Sequence, residues 1–294
     1  MNRQFLIDTI SSSTRLPVLS DTAARVIQMG NDPELYPAKL HTVLAGDPAL
    51  AARILQVSNS AMFARQSKVS DLPAAIAVLG VRLTLNIALG LSVVDAMRSN
   101  EKLAFDYSLF WRKSVLSAIA ANEMVATLNV PSRGELFVAA LMQDLGMLIM
   151  LDAVGEKYAR LVEAARSHFD LYELEWRVFG VDHAEIGAIL AQRWQLPASI
   201  EQAIGNSHAL FAEPSNARLS DLEYGVALAG ILAEAWIAES PDQRAANQVI
   251  KAYLDKVGER QYKNTIESIL QAIPGANEMF SMELLSAEQM TSVA

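Results

Sequence analysis

At 294 residues, with 52% hydrophobic and 19% charged side chains, the chain has apolar material for one large domain or two ordinary ones, which excludes a disordered polymer. Its net charge of −9 comes from 33 acidic and 24 basic residues without any basic run. Nucleic acid is therefore a poor partner, since phosphate neutralisation needs clustered cations. Cysteine is absent, so disulfides and thiolate chemistry are excluded and only His, Asp or Glu remain as strong metal donors.

The N-terminal residues Met1 to Phe5 lack the charged-then-apolar layout of a secretory leader. Residues 136–151 form the longest apolar stretch, short for a membrane span and interrupted by Gln143 and Asp144. A cytoplasmic protein is the expectation, with no membrane partner.

Helix signals run the length of the chain. Ser20-Asp21 opens a helix that Gly30 can stop. Asp47-Pro48 pairs an N-cap with a proline at the first helical position, and Asp71-Leu72-Pro73 repeats the device before Gly80. Residues 81–97 read as one apolar helix, and the polar run Ser99 to Lys102 as a boundary. Further helices are predicted over 107–128, 136–151, 156–167, 171–179, 183–194 and 198–207, with Asp182 and Glu185 spaced as a capping box. The spacing predicts helices over 220–237, 243–256 and 262–273 as well, with 286–294 frayed. The fold class expected is all-α.

The run Asp47-Pro48-Ala49-Leu50-Ala51-Ala52-Arg53-Ile54-Leu55, then Ser58-Asn59-Ser60-Ala61 and Phe63, resembles the signature of the HDOD family. Leu16-Pro17-Val18-Leu19 before it, and Val69-Ser70, Ala75-Ile76 and Leu79-Gly80 after it, extend the resemblance, which covers roughly Leu16 to His208. It implies an N-terminal helical lobe, here 1–100, and a helical bundle related to HD and HD-GYP phosphohydrolases, here 101–294 with a C-terminal extension. It also implies a bacterial signal-transduction module, of a family that generally has no established catalytic activity.

An HD enzyme arranges His residues, a His-Asp pair and a distal Asp around metal, which activates water and clamps a phosphoryl oxygen. Against that pattern Lys113 stands near the first His, and a lysine ammonium has no free lone pair. Gln143 replaces the His of the pair while Asp144 keeps the acid. His183 matches the family's helix-starting His, and His208 one half of a His-His pair whose other half is Ser207. The distal Asp falls near Gly230, which offers no ligand.

The tally leaves Asp144, His183 and His208 as the strong donors, which implies a degenerate, non-enzymatic site with no cofactor and no metal. Lys113, Gln143, Asp144, His183 and His208 are the candidates for a pocket that binds without cutting. If a metal is held at all, Asp144, His183 and His208 hold it. His41 and His168 lie outside the motif and read as ordinary surface or partly buried residues. The expected partners are signalling proteins or a small ligand, with self-association left open. The alternative function is a metal-dependent phosphohydrolase acting on a nucleotide or cyclic dinucleotide.

Two further readings concern structure. Arg53 is expected to bridge the two lobes through hydrogen bonds to carbonyls, and Asn59 to end its helix. Trp111, Trp176, Trp194 and Trp236 are expected in packed interiors.

Overall fold

The computed structural model describes residues 3–12, 20–30, 32, 34–60, 68–98, 105–130, 132–211, 219–237 and 244–293. Their α-helices are α1 (Arg3–Ser12), α2 (Asp21–Gly30), α3 (Pro37–Ala45), α4 (Pro48–Ser58), α5 (Leu72–Leu79), α6 (Val81–Arg98), α7 (Tyr107–Met124), α8 (Arg133–Met142) and α9 (Leu145–Val154). There follow α10 (Glu156–Ala164), α11 (His168–Phe179), α12 (His183–Arg193), α13 (Ala198–Gly205), α14 (Asp221–Ile237), α15 (Arg244–Val257), α16 (Glu259–Phe280) and α17 (Ala287–Val293). No strand occurs among the described residues, so the fold is all-α as the sequence implies. The proposed boundary at Ser99 to Lys102 lies outside the described residues.

Local chemistry sets the starts and stops. Asp47 accepts from the Leu50 N–H and Asp71 from the Ala74 N–H, each ahead of a proline in the first turn. Gly80 ends α5 at φ 83°, a conformation that an L side chain resists. Asn59 follows α4, and its amide bonds both the Leu55 carbonyl and the backbone N–H and C=O of Val69, so it ends the helix and pins the returning chain. Arg53 departs from expectation: its guanidinium meets the Asp95 carboxylate on α6 at 2.6 Å. Carbonyl bridging falls instead to Arg82, which donates to Gly30 and Asp32.

Helices α2 to α6 pack on one another, and α6 lies against α8. Helices α7, α8, α9, α12, α13 and α14 form the bundle, with α7 between α8 and α14. Buried Leu, Ile, Val and Ala side chains run through both groups as one continuous core. Helix α1 packs on α9, burying Leu6 and Ile10, and Arg3 pairs with Glu185.

Three predicted elements change length. The apolar stretch 136–151 divides into α8 and α9 at Gln143-Asp144, because the two polar residues fall at a buried turn. The whole Arg133–Val154 segment is long and apolar enough to cross a membrane, yet most of it is buried within the protein. The helix predicted to stop at 273, before a proline, continues as α16 past Pro274 to Phe280. Burial of Ile273, Ala276, Met279 and Phe280 opposes the loss of the one hydrogen bond that proline removes. The tail read as frayed forms α17, tied down where Arg112 donates to Gln289 and to the Leu284 carbonyl.

Candidate metal centre

Four side chains from four places in the chain converge at the middle of the bundle. Asp144 stands at the turn between α8 and α9, at the N-cap position of α9. It makes no capping hydrogen bond there, so its carboxylate is not consumed by its own helix. His168 is the first residue of α11, set by Ser167, whose hydroxyl accepts from the Asp170 N–H. His183 is the first residue of α12, set by Asp182, which accepts from the Glu185 N–H at 2.8 Å. His208 lies in the turn following α13.

Gly146 explains how two of these elements come so close. A Cβ there would lie 1.9 Å from the His183 carbonyl oxygen and 2.8 Å from the Gly187 nitrogen, so α9 and α12 cross in backbone contact. The crossing brings Asp144 Oδ1 to 3.7 Å from His183 Nε2. From α11, His168 Nε2 comes within 3.4 Å of the same oxygen, 3.2 Å of His183 Nε2 and 3.0 Å of His208 Nε2.

Carboxylates behind two of the rings fix their protons. Glu175, fully buried, accepts from both the backbone N–H and the Nδ1–H of His183, the latter at 2.7 Å, while Tyr158 donates to its other oxygen. Asp182 receives the His208 Nδ1–H at 3.2 Å. A carboxylate only accepts, so each of these two rings donates Nδ1–H outward and turns its Nε2 inward. The result is a buried group of imidazole nitrogens with an anionic oxygen among them, which calls for positive charge beside it.

The electrostatics follow that demand. Burial works against a charged His183, but the Glu175 and Asp144 carboxylates prevail and raise it to about 10. Burial and the charge of His183 depress His208 to about 4. His168 is lowered by burial and by Lys113. Burial alone would raise Asp144, yet Lys113 and His168 hold its carboxyl well below the ordinary range.

The donor set fits a divalent transition ion. A tetrahedron with metal–nitrogen bonds of zinc length has edges of about 3.3 Å. The measured separations of 3.0, 3.2, 3.4 and 3.7 Å bracket that edge, and all four ligand atoms lie within 4.8 Å of one another. Imidazole with one carboxylate suits zinc, iron or manganese. Outer carboxylates on metal-bound imidazoles usually contribute ten- to a hundredfold in affinity. Glu175→Gln should therefore weaken metal binding by roughly that factor, read by competition with a chelating dye.

Lys113 enters from α7 with its Nζ 3.1 Å from Asp144 Oδ2 and 3.5 Å from Glu234 Oε2. Glu234, on α14, also accepts from the His168 backbone N–H at 3.1 Å. The contact to Asp144 is ionic rather than an aligned hydrogen bond, and Oδ2 has no hydrogen-bond donor. Asp144 is thus divided, with Oδ1 toward the histidines and Oδ2 toward the ammonium.

Of the candidate residues, Lys113, Asp144, His183 and His208 are brought together. Gln143 stands apart: its amide donates to the Ala140 carbonyl and packs against Gly230, where a Cβ would lie 2.6 Å from its Oε1. The position without a distal Asp is therefore filled by the Gln side chain. His168, read as an ordinary residue, is a member of the cluster. The helix start at 171 misplaced it, and Ser167 followed by Asp170 was the capping signal that would have revealed it. Glu175 and Glu234 carried no sequence signal. Of the tryptophans, Trp176 is 44% exposed and not interior.

A search of solved structures finds close folds. A candidate phosphohydrolase from Shewanella amazonensis SB2B superposes with a TM-score of 0.72 at 25% identity, covering 96% of this chain and 98% of that one. An HDOD domain protein of unknown function from Geobacter sulfurreducens gives 0.71 at 22% identity, covering 95% and 98%. A curated, uncharacterised protein of Treponema pallidum (strain Nichols) is 23% identical over 266 residues, 90% of this chain. The chain spans about half the length of that relative.

These findings overturn the expectation that the chain is not an enzyme. Counting ligands at family positions left too few, but His168 arrives from another helix and completes a four-donor cluster. A relative of nearly the same length and fold carries a phosphohydrolase name. The HDOD domain profile matches residues 16–210, well over half of the chain, and this protein belongs to the HDOD domain family.

Proposed function

We propose that this chain is a metal-dependent phosphohydrolase of bacterial signal transduction that holds one divalent ion on Asp144, His168, His183 and His208. The observation that carries this reading is the inward convergence of three imidazole nitrogens and one carboxylate oxygen, with outer carboxylates fixing two of the rings. The phosphohydrolase name of the Shewanella relative supports the reaction class. When bound, an ion of this class polarises a phosphoryl oxygen and supplies hydroxide from water near neutral pH.

The chain's own groups have separate tasks. Glu175 and Asp182 hold two rings in the tautomer that binds metal. Asp144 Oδ1 faces the donor cluster while Oδ2 stays beside Lys113, which limits the carboxylate's rotation. Tyr158 in turn fixes Glu175.

The test joins metal analysis to hydrolysis assays on phosphomonoesters and phosphodiesters. Purified protein incubated with Zn²⁺ or Mn²⁺ and then desalted should retain about one ion per chain. His168→Ala should lower metal affinity by at least about a hundredfold and abolish turnover. Failure of the wild type to retain an ion, or hydrolysis indifferent to His168→Ala, would overturn the assignment.

A further inference from the structure

Beside the four-donor cluster lies a cavity of about 300 Å³, bounded among the described residues by α7, α9, α11, α14 and the segment Ala165 to Ser167. Asp144, Lys113, His168 and Glu234 form its polar end, Arg166 stands at its margin, and apart from Asp106 and Ser167 the remaining wall is apolar. Resting on the metal-centre reading above, we infer that this cavity takes a phosphomonoester bearing one planar apolar group about the size of a nucleobase, with Lys113 meeting the phosphate.

The polar end has donors available, and the Glu234 acceptors are already engaged. Glu234 receives the His168 N–H on one oxygen and Lys113 on the other. Asp106 spends its carboxylate capping α7 through the Leu109 N–H. An ammonium has three N–H bonds, and the ionic contacts with Asp144 and Glu234 leave Lys113 able to donate to a ligand oxygen. Arg166, whose Nε is 3.7 Å from Asp170, is 79% exposed and free to turn toward a ligand. Asp144 Oδ2, buried and without a hydrogen-bond donor, calls for a hydroxyl or water brought in with the bound molecule.

The apolar end decides the rest of the ligand. Phe105, Leu109, Phe110, Met147, Leu171 and Ile237 line it, with the Phe105 and Phe110 rings 5.9 Å apart. Such a surface gains little from inorganic phosphate or a sugar phosphate and much from a flat ring. The volume is at the lower limit of small-molecule pockets, which suits one nucleobase and its sugar better than a two-base cyclic dinucleotide.

The test is calorimetry on the Zn²⁺-loaded 294-residue chain with three probes: the uncleavable phosphonate analogue of AMP, inorganic phosphate and cyclic di-GMP. The phosphonate should bind at least about tenfold more tightly than either of the others. Leu109→Trp, at a 43% exposed position, should fill the apolar end and weaken the phosphonate roughly tenfold, with metal content and phosphate affinity unchanged. Lys113→Met should weaken phosphonate and phosphate together.

Equal affinity for phosphate, equal or tighter binding of cyclic di-GMP, or no effect of Leu109→Trp would each overturn the inference. Wild type that retains metal but ignores the phosphonate refutes this inference alone. Wild type that retains no metal refutes the metal centre and this inference with it.

Discussion

Gly146→Ala should destabilise the protein by about 3 kcal/mol and disable metal retention, the largest effect expected of a methyl group added at any described glycine. The added carbon would sit 1.9 Å from the His183 carbonyl oxygen, and that neighbour is helix backbone rather than a side chain that can turn away. Relief requires α9 and α12 to separate at the crossing that sets Asp144 against His183. Stability and the site should therefore fail together, read as a lower urea midpoint and loss of bound Zn²⁺. Gly30→Ala is the contrasting case: its Cβ meets only Leu85 Cδ2, at an ordinary 3.7 Å. That variant should be neutral or gain a few tenths of a kcal/mol from helix propensity, with metal retention intact.

The same crossing shows what local sequence conveys and what it does not. Asp47, Asp71 and Asp182 announce their helices because a cap is a contact between neighbours in sequence. The break at Gln143-Asp144 is hidden because apolar residues continue on both sides, and nothing in hydrophobic spacing separates a buried turn from a buried helix. Gly146 gives no sign that a second backbone will lie against it. That contact joins residues 37 positions apart, from Gly146 to His183, and only the packed bundle reveals it.

The site was legible in the same uneven way. Asp144, His183 and His208 were reachable through the family pattern, and all three are in the cluster. The error lay in inferring a non-enzyme from losses at Gln143 and Gly230. A metal requires donor atoms that converge, not donors at inherited positions. Ser167 starts α11 one residue before His168, and this local feature delivers the fourth donor of the cluster. Lys113 shows the reverse: counted as a lost ligand, it became the partner of the carboxylate it would have shared.

That partnership makes Asp144→Ala the most informative substitution at the centre. Removing the carboxylate takes away Oδ1 from the donor cluster and leaves the buried Lys113 with Glu234 alone. Breaking a buried ion pair from one side typically costs about 3–5 kcal/mol, and the remaining pairing with Glu234 places the expected loss near the lower end. Metal retention should vanish at the same time. Stability and metal binding then separate in the double variant Asp144→Ala/Lys113→Met, where no ammonium is left to seek a partner. It should recover much of the lost stability in chemical denaturation and still retain no ion. If the double variant is as unstable as the sum of the singles, Lys113 and Asp144 are not coupled, and the division of the carboxylate between ammonium and histidines is wrong. If Asp144→Ala retains a full equivalent of Zn²⁺, the histidines alone make the centre and Asp144 serves only to neutralise the lysine.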